Sequence, residues 1–128
     1  MMDLLQSIKK ELESLKLINI KAFDAEGKSI LADYFFISTA DSLVQIEAAR
    51  NKLIELMDKH NIYLKNNLEE WHGGWCLLDF GNIIIHILLE ERRSFYQIDR
   101  LMENAEFKLM NIDSEKLRKK TQRKKRIK

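Results

Sequence analysis

The chain of 128 residues contains no proline, a single cysteine, four glycines and no long apolar run. A membrane-spanning helix needs about 20 consecutive apolar residues, and the longest runs here are far shorter, so we expect no membrane segment. Because the lone Cys76 cannot form an internal disulfide, we expect a fold that is stable in a reducing compartment, and we place the protein in the cytoplasm. The N-terminus, MMDLLQSIKKELE, lacks the basic start and apolar run of an export signal.

The scarcity of glycine also limits the chemistry that the sequence can support. No Walker loop, GxGxxG or GxSxG motif is present, so phosphate-cradling and serine hydrolase chemistry are not indicated. A zinc site needs three or four ligands at suitable spacing. The candidates offer one His-x3-Cys pair and no second pair, and they are His60, His72, Cys76 and His86.

Magnesium would require clustered carboxylates. The only set that the sequence offers is Asp24, Glu26 and Asp79, and acids in a turn such as DAEGK are more often simply solvated. We therefore expect no catalytic residue, no metal and no cofactor.

Charge is distributed unevenly along the chain. Residues 116–128 hold nine of the 22 basic side chains and no acid, so residues 1–115 hold 13 basic and 20 acidic side chains, a net of −7. A basic tail of this kind suits contact with a phosphate backbone, and the alternative is a solvated terminus without a partner. The residues expected to contact RNA are Lys116, Arg118, Lys119, Lys120, Arg123, Lys124, Lys125, Arg126 and Lys128. We assign residues 1–105 to the folded domain and 106–128 to this flexible or helical tail, in which Ser114 is a candidate cap.

Hydrophobic periodicity predicts a mixture of helices and strands. A first helix begins at a cap formed by Asp3, the alternating run LINIKAF predicts a half-buried strand, and DYFFIST predicts a more central one. Ser42 and Gln45 form a capping box for a helix that extends to about Lys59. Its expected inner face is Ile46, Ala49, Leu53, Leu56 and Met57.

Further along, IYL predicts a short strand and WCLLDFGNIIIHIL a hairpin. A last helix follows, whose apolar positions are Phe95, Ile98, Leu101 and Met102. This order predicts an α/β fold, in which a single small domain has a mixed β-sheet covered by helices.

The hairpin can be assigned in register from its turn. Gly81-Asn82 fits a type II′ loop, which needs a positive φ at Gly81. One face is then entirely apolar and must face the core, and it holds Cys76, Leu78, Phe80, Ile83, Ile85 and Ile87. The other face holds Trp75, Leu77, Asp79, Ile84, His86 and Leu88.

This second face supports two interpretations. In the first, the face is covered, Asp79 and His86 satisfy each other, and Trp75 is packing. In the second, it is an apolar patch with a polar centre, which is typical of protein-binding surfaces.

Three segments in this order, DYFFIST, WCLLDFGNIIIHIL and EERRSFYQIDRL, resemble the ribosomal silencing factor family, also called the RsfS or Iojap family. The family pattern is D-Y-F, then W-x-x-x-D-x-G-D-x-x-x-H, then R-x-x-Y-x-L-E-x-L-W, and the resemblance covers about residues 4–102. The sequence departs from the pattern in having Asn82 for Asp, Met102 for Trp and Ala40 for Gly, and in its basic tail.

The resemblance implies a nucleotidyltransferase-like fold without the catalytic residues. It also implies binding to the large ribosomal subunit through its fourteenth protein, at the face where the small subunit docks, with repression of translation. Family members in organelles act in large-subunit assembly, and a homodimer in the free form is common. The partner-binding residues implied are Trp75, Asp79, His86, Arg93 and Tyr96, and those implied to shape the surface are Asp33, Ser42, Gly81 and Glu91.

Two functions of other classes remain open at this point. One is a divergent nucleotidyltransferase-like enzyme that uses the three carboxylates named above. The other is an RNA-binding module driven by the tail, although the acidic body has no aromatic RNA-binding motif.

Overall fold

A computed structural model describes residues 1–66 and 73–112 of the chain. The described residues form four helices and five strands. In chain order these are α1 (Met2–Ser14), β1 (Ile18–Asp24), β2 (Tyr34–Ala40), α2 (Leu43–Asp58), β3 (Trp75–Asp79), β4 (Ile83–Leu89), α3 (Glu90–Tyr96), α4 (Ile98–Asn104) and β5 (Lys108–Met110).

The five strands form one mixed sheet in the order β3-β4-β2-β1-β5. The central strands β2 and β4 are parallel, and every other neighbouring pair is antiparallel. The predicted α/β fold with a mixed sheet is therefore confirmed, and DYFFIST is indeed a central strand. Within the described ranges, no helix has the length and apolar character required to cross a bilayer.

The main core lies between one face of the sheet and the helices α1 and α2. All six hairpin residues that were predicted to face the core are buried there. The helices contribute Leu4, Leu5, Ile8, Leu12, Ile46, Ala49, Leu53 and Met57, while Leu56 is only partly buried. Alternation of side chains along the two strands explains why the hairpin register could be assigned correctly.

A second, smaller core covers part of the opposite face. Ile98 and Met102 of α4 pack there against residues of the inner strands and of the connection between β1 and β2, namely Phe23, Ala25, Ala32, Phe35, Ile37, Ile84 and Leu88. Trp75 and Leu77 pack at the border of this cluster and stay partly exposed, as does Asp79 further along β3. The described residues therefore cover this face incompletely on the side of β3.

Helix capping follows the prediction at one helix and departs from it at the other. The Ser42 hydroxyl accepts a hydrogen bond from the Gln45 backbone N–H at 3.1 Å, as predicted, but the Gln45 carboxamide oxygen bonds the N–H of Asp41. The first helix begins at Met2 without a side-chain cap, so the cap predicted at Asp3 is wrong, and Asp3 lies in the first turn.

Two further predictions, both of strands, are corrected by the structure. In β1 the register shifts between Ile18 and Lys21, so strict alternation fails and the neighbours Ala22 and Phe23 are both buried. The segment IYL is not a strand. Instead, the side chain of Asn66 bonds the outer edge of β3, donating to Leu77 O at 2.7 Å and accepting from Asp79 N at 2.8 Å.

The last predicted helix is two helices. Gln97 adopts a left-handed conformation with φ of 51°, which separates α3 from α4. Residues 106–112, which the sequence grouped with the tail, hold β5 and bring Ile112 into the main core. The folded domain thus extends beyond residue 105, while residues 113–128, with Ser114 and all nine basic tail residues, lie outside the described ranges.

Candidate functional site

The hairpin has the register that its glycine turn predicted. Trp75 lies opposite Leu88, Leu77 opposite His86, and Asp79 opposite Ile84. Gly81 has a φ of 91°, a conformation that side-chain-bearing residues rarely adopt. The carboxylate of Asp79 accepts a hydrogen bond from the Gly81 N–H at 2.9 Å, so Asp79 stabilises the turn.

His86 pairs with Trp75, whereas one interpretation of the sequence paired it with Asp79. The indole N–H of Trp75 donates to Nδ1 of His86 at 3.1 Å, and the two rings lie 5.9 Å apart between centroids. Because Nδ1 is an acceptor here, the imidazole is neutral and carries its proton on Nε2. Burial also favours the neutral form, since it lowers the pKa of His86 from 6.5 to about 4.

Trp75 begins a row of aromatic side chains that extends from β3 onto α3. Its ring centroid lies 5.0 Å from that of Tyr96, and the Tyr96 ring meets Phe95 edge-on at 5.0 Å. Tyr96 is 44% exposed and Phe95 is 75% exposed, while Trp75 is half-buried. We call Trp75, Phe95 and Tyr96 the aromatic surface. Exposed aromatic clusters of this kind are enriched among the hot spots of protein interfaces.

Arg93 lies on the same helix as Phe95 and Tyr96 and is only 7% exposed. Its guanidinium makes a bidentate pair with Asp99 through two contacts of 2.9 Å, and Nη1 also donates to Asn19 O at 2.7 Å and to Thr39 Oγ1 at 2.9 Å. Lys21 pairs with the same carboxylate at 2.9 Å. Arg93, which the resemblance implied to bind the partner, thus has four of its five guanidinium donors engaged inside the domain.

The same contacts explain the electrostatics of Asp99. Hydrogen bonding from Arg93, with a further contribution from Lys21, holds the pKa of this carboxyl well below its ordinary range, although partial burial opposes the shift. The ion pair joins α3 to α4 across the break at Gln97 and ties both to β1 and β2. It fixes the orientation in which α3 presents Phe95 and Tyr96.

The other residues singled out from the sequence are scattered. Asp79 lies four residues along β3 from Trp75, which is about 13 Å in a strand. Glu91 is exposed in the first turn of α3, and Ser42 caps α2. Asp33 is exposed, and its backbone N–H bonds Asn82 O at 2.9 Å beside the hairpin turn. The site thus gathers Trp75, His86 and Tyr96.

The candidate carboxylate ligands and the candidate zinc ligands considered from the sequence do not come together in the described structure. Asp24 and Asp79 lie on strands separated by three strand spacings, about 14 Å, too far to share one ion. Cys76 faces the main core and His86 the opposite face of the sheet, while His72 lies outside the described ranges. Among residues 1–66 and 73–112, no group of three or more His, Cys, Asp or Glu side chains could hold a metal ion.

Two functional features could not be found from the sequence. Phe95 was singled out only as an apolar position of a single last helix, and the structure places it on α3, before the break at Gln97, with 75% of its surface exposed. Asp99 was not singled out, because its partner Arg93 lies six residues away, a spacing that no regular helix brings together. Met102, where the family usually has Trp, is buried in the second core, against which Trp75 packs.

Fold and site together define a small α/β domain with an exposed aromatic surface of the protein-binding kind. The sequence matches the family described as ribosomal silencing factor during starvation over residues 1–128. The chain belongs to this ribosomal silencing factor family.

Similar proteins and structures agree with that assignment. The ribosomal silencing factor of Bacillus subtilis is 31% identical over 87 residues, which cover 68% of this chain and 74% of that protein. The one from Zymomonas mobilis is 33% identical over 98 residues, covering 77% of this chain and 74% of that protein. The chloroplastic protein Iojap of Zea mays is 28% identical over 99 residues, covering 77% of this chain and 43% of that protein.

Two solved structures share the fold. A crystal structure of a Chromobacterium violaceum protein has a TM-score of 0.71 and 23% identity, covering 77% of this chain and 82% of that one. A crystal structure from Bacillus halodurans has a TM-score of 0.70 and 24% identity, covering 85% of this chain and 97% of that one.

Proposed function

We propose that this protein represses translation in the cytoplasm by binding the large ribosomal subunit through its fourteenth protein and excluding the small subunit from the same face. The observation that carries this proposal is the aromatic surface of Trp75, Phe95 and Tyr96, together with membership of a family named for ribosome silencing. The partner-binding residues that we propose are these three.

The aromatic surface is suited to burial against another protein. Aromatic side chains bury a large area at low cost in side-chain entropy. The indole N–H of Trp75 is already bonded to His86, so covering this ring removes no donor from water. A buried donor without a partner costs about 1 to 3 kcal/mol, and this site avoids that cost. His86 thus supports the surface through Trp75, while the pair of Arg93 and Asp99 joins α3, which carries Phe95 and Tyr96, to α4.

Occlusion requires no reaction by the bound protein. A domain of this size is roughly 35 Å across, by the scaling of radius of gyration with chain length. A rigid body of that size, bound at the face where the subunits meet, prevents their contact sterically. We therefore propose a non-enzymatic mechanism, in which affinity and position alone determine repression.

Cosedimentation with purified large subunits tests this function. We expect the wild-type protein to travel with large subunits in a sucrose gradient and to reduce the formation of joined ribosomes when small subunits are added. Tyr96→Ala should weaken binding about 30-fold, equivalent to about 2 kcal/mol at a hot spot. Trp75→Ala should abolish detectable cosedimentation while the domain stays folded.

Leu109→Ala is the matched control for these variants. Leu109 is 57% exposed on β5, at the edge of the sheet opposite β3, so its loss removes exposed apolar area away from the aromatic surface. It should bind like the wild type, and urea denaturation should show that all three variants fold. Binding that survives in Trp75→Ala and Tyr96→Ala would refute the assignment of this surface, and turnover of a nucleotide with magnesium would favour an enzyme instead.

The basic tail is proposed to add a salt-sensitive contact with ribosomal RNA. Its nine positive charges would release counterions from the phosphate backbone, so binding should weaken steeply as salt rises. Truncation after Glu115 should flatten the dependence of affinity on salt. An unchanged slope in the truncated protein would show that the tail makes no such contact.

A further inference from the structure

A shallow cleft opens beside the aromatic surface. It has a volume of about 260 Å³ and is lined by Gly73, Trp75, Arg92 and Tyr96. Two of its walls are aromatic rings that meet at 48°, and Arg92 forms another part of the lining. The cleft therefore combines apolar ring faces with a positive charge at one end.

Arg92 is held in place by one of its donors, and its other donors have no hydrogen-bond partner among residues 1–66 and 73–112. Its Nε–H donates to the backbone oxygen of Gly73 at 2.7 Å, which restrains the plane of the guanidinium. No residue in the described part of the chain accepts a hydrogen bond from Nη1 or Nη2 of Arg92. Arg93 next to it differs, because its guanidinium donates hydrogen bonds from both Nε and Nη1 to groups inside the domain.

We propose that this cleft is a subsite for the carboxylate of an aspartate or glutamate side chain on the protein partner. A guanidinium with free Nη donors presents a fork that matches a carboxylate in bidentate geometry. The rings of Trp75 and Tyr96 would pack against the methylene groups that carry it. The proposal rests on the proposed function and adds to it the chemistry of one contact with the partner.

Charge favours a protein carboxylate over a nucleic-acid phosphate here. Residues 1–115 carry a net charge of −7, and Glu90 and Glu91 directly precede Arg92 on α3. An RNA strand brings one negative charge per nucleotide and would be repelled by these acidic surroundings. One carboxylate, in contrast, brings a single charge to a single guanidinium. The basic tail remains the candidate for RNA, and the cleft is a separate site.

Binding to purified large subunits gives the first test. Arg92→Gln, which keeps polarity and removes the charged fork, should weaken binding tenfold or more, as expected for a hydrogen bond to a charged group. Arg92→Lys keeps the charge without the fork, and its affinity for large subunits should lie between those of the wild type and Arg92→Gln. The matched control is Arg100→Gln on α4, which removes an exposed arginine away from the cleft and should bind like the wild type.

A second test needs no ribosome. The wild-type protein, labelled with ¹⁵N, is titrated with the N-acetyl, N-methylamide forms of glutamate and of glutamine, while the Arg92 Nε–H and Trp75 indole signals are followed by NMR. The glutamate compound should shift both signals saturably and the glutamine compound should not. In Arg92→Gln the shift of the indole signal should disappear. A peptide with a free terminal carboxylate and an adenine dinucleotide serve as competing probes.

The outcomes separate this proposal from the proposed function. If Tyr96→Ala loses subunit binding while Arg92→Gln retains it, the carboxylate subsite is wrong and the ribosome-binding surface stands. If the wild type does not bind large subunits but the glutamate compound shifts both signals, the proposed function fails and the subsite stands. Equal shifts with glutamate and glutamine, or tighter binding of the terminal carboxylate or the dinucleotide, overturn the subsite.

Discussion

At the scale of single residues, the contact between Trp75 and His86 determines the character of the site. Nδ1 of His86 can accept the indole hydrogen bond only while the imidazole is neutral, and burial keeps it neutral at ordinary pH. Protonation would place two N–H groups opposite each other at 3.1 Å. His86 therefore acts as a structural hydrogen-bond acceptor that holds Trp75 in position.

The titration of His86 gives a pH dependence of stability with a definite sign. The unfolded chain takes up a proton near pH 6.5, but the folded protein does so only near its lowered pKa of about 4. Acid therefore favours the unfolded state, and stability falls as the pH drops through this window. Between pH 7 and pH 5 we expect a loss of about 2 kcal/mol from this residue.

Urea denaturation of the wild type and of His86→Asn measures this effect. Asparagine can present its carboxamide oxygen to the indole N–H but does not titrate, so the variant should lose less stability between pH 7 and pH 5. Asp99 does not interfere with this measurement. Because its pKa is lowered in the folded protein, its contribution to stability is lost only when the pH falls below its ordinary pKa of 3.8. Identical pH dependence in the two proteins would show that His86 is not held neutral by the fold.

At the scale of elements, the break between α3 and α4 controls what the site presents. The left-handed Gln97 turns α4 so that Ile98 and Met102 cover the second core, while Phe95 and Tyr96 on α3 stay outside. The buried pair between Arg93 and Asp99 joins the two helices across this break. A single continuous helix could not place these residues in this way.

Substitution of Arg93 should therefore disturb binding from inside the domain. We expect Arg93→Lys, which keeps the charge but loses the bidentate fork, to cost about 1 to 3 kcal/mol of stability and to weaken binding to large subunits. Asp99→Asn should weaken binding as well, and the double variant should be less than additive because both act on one pair. Urea denaturation measures the free energy of unfolding, and cosedimentation measures the free energy of binding to large subunits. Arg100→Lys is the control for both.

A direct contact of Arg93 with the partner would give a different pattern. In that case Asp99→Asn would leave the affinity unchanged, and the two substitutions would add. The near-ultraviolet circular dichroism of the aromatic rings distinguishes the cases further, because a positioning role predicts a changed spectrum in both single variants before any partner is added.

The elements also show what could be predicted from the sequence and why. The hairpin faces and the inner face of α2 follow from strict periods of two and 3.6 residues, so both were predicted. The bulge in β1, the helix break and β5 each depend on contacts with distant strands, and no local pattern encodes them. The pairing of Trp75 with His86 was missed because the carboxylate of Asp79 is satisfied by its own turn.

At the scale of the whole molecule, the sheet has one fully covered face and one partly covered face. Among residues 1–66 and 73–112, the first is packed by α1 and α2 and the second by α4 and its neighbours, which leave the side near β3 open beside α3. Asn66 bonds part of the outer edge of β3, which leaves fewer backbone groups there for pairing with another chain. The open side of the sheet is thus available for contact through side chains, and the aromatic surface forms its main feature.

The most direct measurement is site-specific photocrosslinking on intact large subunits. A photoreactive phenylalanine analogue replaces Tyr96 in one protein and Leu109, at the opposite sheet edge, in another. If the aromatic surface binds the ribosome as proposed, the probe at position 96 crosslinks to the fourteenth protein of the large subunit, and the probe at position 109 does not. Crosslinking from position 109 alone, or from position 96 to a different ribosomal component, would contradict the account.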